Sequence, residues 1–159
     1  MNNQSRILVI DDDENITKVV SAILKEEGYD VESAGTGGEA VKKSQKTHYD
    51  LMLIDVRLPD MDGTELLTKV RDTMPRIRKV IVTGYPTLQN AVAALNKGAD
   101  AYVMKPFDVE KMLNTVKEQL ERQKQERKFS EDRVAEFIET RIKEMDHEEP
   151  RIAKNLRTL

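Results

Sequence analysis

Three consecutive carboxylates, Asp11, Asp12 and Asp13, directly follow the apolar stretch 7–10 of this chain. Negative charges this close together repel one another, so their position calls for a physical reason. A bound cation would supply one, and hard oxygen ligands suit Mg²⁺. The other reason is local, because aspartate is favoured at the start of a helix. From this segment alone both explanations stay open.

Three further reactive side chains stand at the ends of apolar runs. Asp55 follows Leu-Met-Leu-Ile, Thr83 lies in Ile-Val-Thr-Gly, and Lys105 lies in Tyr-Val-Met-Lys-Pro. If these runs are parallel strands of one sheet, their carboxyl ends meet at one edge, where such sheets bind their ligands. One site would then gather several carboxylates, a hydroxyl and an ammonium group. That set suits phosphoryl transfer, in which cationic groups offset the charge on oxygen atoms.

The elements that must position these groups follow from the apolar pattern, in which short apolar runs alternate with segments of helical period. Five strands are predicted at about 6–10, 30–34, 51–55, 79–83 and 101–105. The first helix carries an apolar stripe of Ile16, Val19, Val20, Ile23 and Leu24 and ends at Gly28. Further helices are predicted at 37–47, 64–73 and 87–97, and a fifth from near Asp108. The pattern predicts an α/β fold with a doubly wound parallel sheet.

Four motifs occur in order along the chain: the acidic run, LIDVRLPDMDG, IVTG and YVMKPF. Together they resemble the receiver domain of two-component response regulators, over residues 5–121. The resemblance implies a flavodoxin-like sheet of five parallel strands in the order 2-1-3-4-5. It also implies a signalling protein rather than an enzyme, with a sensor histidine kinase or a phosphotransfer protein as its partner.

The resemblance assigns roles to the acidic residues. Asp55 would accept the phosphoryl group. Asp11, Asp12 and Asp55, with the backbone carbonyl of Arg57, would hold Mg²⁺. Asp13 is the extra acid, and we expect it to cap the first helix.

Other residues of the motifs receive roles in the same way. Lys105 would pair with Asp55 before transfer and with a phosphoryl oxygen afterwards, and Thr83 would bind another of those oxygens. Tyr102 would act as the switch aromatic that turns inward when Thr83 moves. The Lys105-Pro106 bond matches one that the family commonly holds in cis. Large residues at Arg57 and Tyr85 predict slow hydrolysis of the phosphoryl group.

Composition excludes several classes of protein. The chain has 38% hydrophobic and 35% charged residues and no cysteine, so disulfides and thiolate metal sites are ruled out. No apolar run reaches the roughly 18 residues that a membrane helix needs. The first residues lack the apolar core of a signal peptide, and we therefore expect a cytoplasmic protein. A net charge of −3 is unlike that of a strongly basic nucleic-acid binder.

Residues 122–159 form a predicted helical extension. It is divided into a linker at 122–129, an amphipathic helix at about 131–146 that begins after Ser130 and ends before Pro150, and a short terminal segment. An apolar stripe along this helix needs a partner. We expect a downstream protein or a second copy of the chain to bind through the 87–128 face and the tail, with a phosphorylation-dependent homodimer as one form.

Two other functions stay open. The extension is too short for an ATPase module and lacks a basic recognition stripe, which makes nucleic acid an unlikely partner of this chain. The alternative is a DNA-binding transcriptional regulator, or a fragment of one. The Asp-x-Asp spacing of Asp11 and Asp13 also resembles phosphatases of the haloacid dehalogenase type, but that resemblance leaves Asp55 and the PDMDG segment unexplained.

Overall fold

The structure is a computed structural model that describes residues 4–70, 76–84, 87–106 and 108–157, with side chains described to residue 147. Tyr85 and the last residues of the helix predicted at 64–73 lie outside these ranges. The chain divides into two compact units, Met1–Gln123 and Lys124–Leu159. The first unit alternates strands and helices, as the apolar pattern predicts.

The strands are β1 (Arg6–Ile10), β2 (Asp30–Ala34), β3 (Leu51–Asp55), β4 (Arg78–Thr83) and β5 (Ala101–Met104). The helices are α1 (Glu14–Glu26), α2 (Gly37–Lys46), α3 (Gly63–Lys69), α4 (Leu88–Asn96) and α5 (Val109–Arg157). α3 is shorter than predicted, because Val70 already has an extended backbone with ψ of 130°.

All five strands pair in parallel in the order β2-β1-β3-β4-β5, so the predicted topology is confirmed. The pairing register brings the carboxyl ends of the central strands level with one another. Ile10 lies opposite Ile54, and Asp55 lies opposite Val82. The residues that follow β1, β3 and β4 therefore meet at one edge of the sheet, which is where a doubly wound fold binds its ligand.

Two apolar layers cover the sheet. One contains Leu8, Ile10, Met52, Ile54 and Ile81, and the other contains Ile7, Val9, Leu53, Val80 and Val82. Successive side chains of a strand point to opposite faces, so the central strands are apolar without alternation, as expected for strands buried on both sides. Burial on both faces fixes the strands, and with them the residues at their ends.

The first helix follows its predicted stripe with one exception. Val20 and Leu24 are buried, and Ile16 and Ile23 pack partly against the core, but Val19 is 58% exposed. A helix turns about 100° per residue, and the buried stripe is centred on Val20 and Leu24. Val19 therefore lies beyond the edge of that stripe.

The prediction of a linker at 122–129 and a separate helix from about 131 differs from the structure, in which α5 is one continuous helix of 49 residues. The segment RQKQERK contains only good helix formers, and Arg127 pairs with Glu131 one turn along at 3.2 Å. Ser130 therefore lies inside a helix instead of starting one. The helix also continues past Pro150, although a proline inside a helix removes a backbone donor and crowds the preceding turn. The division into a receiver at 5–121 and an extension at 122–159 stays a prediction.

Apolar side chains of the second unit are exposed, namely Phe129, Val134, Phe137, Ile138, Ile142 and Met145. The stripe predicted along this segment therefore has no cover among the described residues. In the described part of the chain, no helix is both long and apolar enough to cross a membrane.

Gly63 allows α3 to begin directly against the end of β3. A Cβ atom at this position would lie 2.1 Å from the backbone oxygen of Asp55, and backbone cannot move aside as a flexible side chain can. We therefore expect Gly63→Ala to destabilise the fold by about 2 kcal/mol or more in urea unfolding. Gly35→Ala is the matched control, because its Cβ would meet only the Glu39 side chain at an ordinary 3.9 Å. Equal stability of the two variants would contradict the prediction.

Candidate functional site

A cluster of three carboxylates lies at the carboxyl edge of the sheet. One oxygen each from Asp11, Asp12 and Asp55 can be chosen so that all lie within 4.8 Å of one another. Asp11 is buried, Asp55 is half-buried, and Asp12 is exposed. The cluster forms because Asp11 and Asp55 directly follow Ile10 and Ile54, which are paired neighbours on adjacent strands. The three residues that the sequence predicts as metal ligands are thus brought together, and they offer the oxygen donors that Mg²⁺ prefers.

Lys105 supplies a positive charge to this cluster. Its Nζ lies 2.8 Å from Oδ2 of Asp11 and 3.4 Å from Oδ2 of Asp55. Burial alone would lower the pKa of Lys105, but the hydrogen bond to Asp11 and the charge of Asp55 outweigh burial and raise it. The expected contact with Asp55 is present, and the shorter contact is with Asp11. The Lys105-Pro106 bond is cis, as predicted.

The pKa of Asp55 is raised despite this lysine. Burial and the nearby Asp11 carboxylate raise the pKa of Asp55, and they prevail over Lys105 and a 3.4 Å hydrogen bond from the Arg57 backbone N–H. One ammonium group therefore does not balance three carboxylates. A divalent cation would, so the residues present fit a Mg²⁺ ion.

Asp13 serves the helix, as predicted. Its side chain accepts hydrogen bonds from the backbone N–H groups of Asn15 and Ile16 at the start of α1. Its own backbone N–H donates to Oδ1 of Asp11 at 2.9 Å. Asp13 thus holds the Asp11 carboxylate in place through its backbone while its side chain faces away to the helix.

A cavity of about 550 Å³ opens beside Asp55. Thr83, Tyr102 and Lys105 line it, together with the exposed Arg57. The Thr83 side chain is buried at the end of β4. The Tyr102 hydroxyl is buried and has no hydrogen-bond partner among the described residues. The predicted nucleophile, hydroxyl, lysine and switch aromatic thus share one cavity.

The cavity also has lining residues that sequence reasoning missed, namely Asp62, Thr64, Asn90 and Lys97. Lys97, which follows α4, places its Nζ 3.4 Å from Oγ1 of Thr64 in the first turn of α3. Asp62 falls within the LIDVRLPDMDG motif, but the motif gives it no role. The other three have no motif to mark them, since each lies near a helix end that only the packing of α3 and α4 brings to the cavity.

The response regulator receiver domain family matches residues 7–117 of this chain. The chain belongs to that family. This receiver domain is similar to a receiver domain protein of Methanospirillum hungatei JF-1, described as CheY-like. The two are 46% identical with a TM-score of 0.74, over 78% of this chain and 99% of the other. It also resembles the beryllofluoride-activated NtrC4 receiver domain dimer, at 39% identity and a TM-score of 0.70, over 74% of this chain and 98% of the other.

Relatives with further segments are also similar to this receiver. The transcriptional regulatory protein ZraR of Klebsiella oxytoca is 38% identical over 117 residues, which are 74% of this chain and 26% of that protein. The response regulator ArlR of Staphylococcus saprophyticus is 35% identical over 123 residues, or 76% of this chain and 54% of that protein. The chain thus spans between about a quarter and half of the length of these relatives.

The raised pKa of Asp55 predicts that Asp55→Asn stabilises the receiver when metal is absent. The folded protein holds the Asp55 proton more tightly than the unfolded chain does, so the wild type loses stability as the pH rises through the folded pKa. The amide carries no charge, so we expect the variant to be more stable than wild type at pH 7. The gain in stability should vanish as the pH falls below the ordinary pKa of aspartate, about 4.

Urea unfolding in the presence of a chelator, repeated across this pH range, measures the difference. Asp132→Asn, on the exposed second unit, is the control and should leave the pH dependence unchanged. A loss of stability in Asp55→Asn at pH 7 would run against the prediction.

Proposed function

We propose that this receiver accepts a phosphoryl group on Asp55 from a sensor histidine kinase or a phosphotransfer protein. The observation that carries the proposal is the placement of Asp55 within one cluster with Asp11, Asp12 and Lys105, beside an open cavity. Asp55 is held by a buried strand and already bears a carboxylate, so it needs no general base. Such a site can position a phosphoryl group and stabilise its charge, which is most of what phosphoryl transfer requires.

In the proposed step, a carboxylate oxygen of Asp55 attacks the phosphorus of a phosphohistidine. The P–N bond breaks, its electron pair leaves with the imidazole, and the imidazole takes up a proton from solvent. Asp11, Asp12, Asp55 and the backbone carbonyl of Arg57 would hold Mg²⁺, which supplies positive charge to the phosphoryl oxygens when it is bound. The chain thereby promotes its own phosphorylation and dephosphorylation and turns over no separate substrate.

Lys105 and Thr83 are proposed to bind the transferred group. The Lys105 ammonium contacts both Asp11 and Asp55, so it can turn to a phosphoryl oxygen without leaving Asp11. The Thr83 side chain lines the same cavity and has a hydroxyl to donate to another oxygen. A phosphoryl group brings about −1.5 to −2 charges and strong acceptors, enough to draw such a hydroxyl toward it.

The switch is proposed to pass from Thr83 to Tyr102. Ile81, two residues before Thr83, pairs with Tyr102 across β4 and β5, and the Tyr102 hydroxyl has no partner among the described residues. Movement of Thr83 toward the phosphoryl group would leave space for the Tyr102 ring. The 87–128 face already exposes apolar side chains that could read this change, namely Leu88, Val92, Leu95, Met104 and Val109.

The output is proposed to be a protein contact, made with a downstream partner or with a second copy of the chain. A large exposed apolar surface marks an interaction site. The 87–128 face and the stripe of the second unit both carry such side chains. The receiver of NtrC4 is described as a dimer, and phosphorylation of Asp55 would control the corresponding association here.

Treatment with a small-molecule phosphodonor tests the phosphorylation directly. We expect wild type to gain the mass of one phosphoryl group with Mg²⁺ and little or none with a chelator, whereas Asp55→Asn should gain none in either case. Asp62→Asn is a matched control, because Asp62 lines the same cavity but belongs to no metal cluster among the described residues. An unmodified wild type, or modification that survives in Asp55→Asn, would refute the proposal. The decay of the label tests slow hydrolysis, and loss within seconds would contradict it.

A second candidate function is that of a DNA-binding transcriptional regulator, or a piece of one. Relatives such as ZraR are named transcriptional regulators, and the chain spans only about a quarter of ZraR. The second unit of this chain, however, carries acidic and basic side chains in nearly equal measure, unlike a basic recognition surface.

Sizing and mobility-shift assays separate the two candidates. We expect the phosphorylated chain to elute as a larger species, or to shift upon adding a second protein, and to bind DNA only weakly and only at low salt. Asp55→Asn should elute as the unphosphorylated wild type does. Sequence-selective binding to DNA that persists at physiological salt would favour the regulator instead.

A further inference from the structure

The segment between β3 and α3, residues 56–62, is tied to the N-terminus of α2 by one side chain. Oδ1 of Asp60 accepts a hydrogen bond from the backbone N–H of Gly37 at 2.9 Å, and Oδ2 accepts one from Gly38 at 2.9 Å. Both oxygens of an exposed carboxylate are thus used on a helix N-terminus, where unpaired N–H groups and the helix dipole favour negative charge. These hydrogen bonds keep the pKa of Asp60 below its ordinary value.

Packing at the same place leaves little freedom. A Cβ atom at Gly37 would lie 2.4 Å from Sδ of Met61, and one at Gly38 would lie 3.3 Å from Oδ2 of Asp60. The bare backbone of α2 therefore lies directly against the 56–62 segment. Asp60 and Met61 together make a contact that has both charge and close packing.

The other end of the segment belongs to the functional site. The backbone N–H of Arg57 donates to Oδ1 of Asp55 at 3.4 Å, and Arg57 forms a bridge to Asp62. Within the segment, the N–H of Leu58 donates to the carbonyl of Met61 at 3.2 Å. Few internal degrees of freedom therefore remain between Arg57 and Asp60. We therefore expect a displacement at one to be transmitted to the other.

We propose that Asp60 is a positioning residue for the Mg²⁺ site, acting by anchoring the 56–62 segment to α2 and so fixing the position of the Arg57 backbone carbonyl. The inference rests on the proposed function, in which that carbonyl is a ligand. Groups that orient the ligands of a metal commonly change its affinity about 10- to 100-fold when they are removed. Coupling between two sites is reciprocal, so metal binding should in turn stabilise the Asp60 hydrogen bonds to Gly37 and Gly38.

The test compares Asp60→Ala with Thr36→Ala in the full chain. Thr36 caps the same helix, with Oγ1 accepting from the Glu39 N–H at 3.1 Å, and its side chain bonds within α2 rather than to the 56–62 segment. Both variants remove an acceptor from the α2 N-terminus, so both should lower the melting temperature in a chelator. Only Asp60→Ala should weaken Mg²⁺ binding, by about 10-fold in titration calorimetry. Thr36→Ala should stay within about twofold of wild type, well under the range for a lost metal-orienting group.

Amide hydrogen exchange gives a second readout, which does not depend on measuring Mg²⁺ affinity. Saturating Mg²⁺ should slow exchange at Gly37 and Gly38, and Asp60→Ala, which removes both acceptor oxygens, should lose that slowing. Three results would each overturn the inference. The first is equal Mg²⁺ affinity in wild type and Asp60→Ala, and the second is equal weakening of Mg²⁺ binding in Thr36→Ala. The third is an exchange rate at Gly37 and Gly38 that does not change when Mg²⁺ is added. A wild type that binds no Mg²⁺ would instead overturn the proposed metal site itself.

Discussion

Charge balance at the carboxyl edge of the sheet is the constraint on which the rest of this receiver depends. Two carboxylates less than 5 Å apart repel by on the order of 3 kcal/mol at the effective dielectric of a protein surface. Here three lie within 4.8 Å, and two of them are at least half-buried. Lys105 offsets one of these three charges, and burial together with the neighbouring Asp11 carboxylate still raises the pKa of Asp55. The carboxylate cluster thus lowers the stability of the fold and at the same time forms a site that can bind a cation.

The fold can hold such a cluster because the scaffold below it is rigid. The central strands are buried on both faces, and their register aligns the residues that follow β1 and β3. Gly63 lets α3 begin against the Asp55 backbone, so the chain turns away at once from the site. At the far end of the sheet, Nε2 of Gln123 donates to the backbone oxygens of Asp50 and Arg76 and so ties α5 to the residues just before β3 and β4. Repulsion at one edge is therefore resisted by packing across the whole sheet.

The sequence predicts the parts of the site that depend on strand ends. Asp11, Asp12 and Asp55 can be grouped from the apolar pattern alone, because parallel strands bring their carboxyl ends together whatever their exact packing. Asp13 can be distinguished from the predicted metal ligands because an aspartate directly before a helical segment is a common N-cap. The shorter contact of Lys105 with Asp11 is not predictable in this way, since it depends on the side-chain path across the site. The contacts of Lys97, Thr64 and Asp60 could not be predicted for a similar reason. Each depends on how the helices pack against one another, and no periodic pattern in the sequence indicates that packing.

The α5 helix shows where local sequence and tertiary packing give different answers. The charged segment 122–128 looks like a break when only apolar residues are counted, because its one buried side chain, Gln123, is polar. Helix propensity and pairs such as Arg127 with Glu131 need no core, so the helix continues. Met112, Val116 and Leu120 are buried in the receiver, whereas Val134, Ile138 and Ile142 repeat the apolar period without burial. In proteins most helical stability comes from the packing of an amphipathic face rather than from helix propensity. The exposed stripe therefore fits the protein contact proposed above, in which a partner would cover these side chains and stabilise the helix.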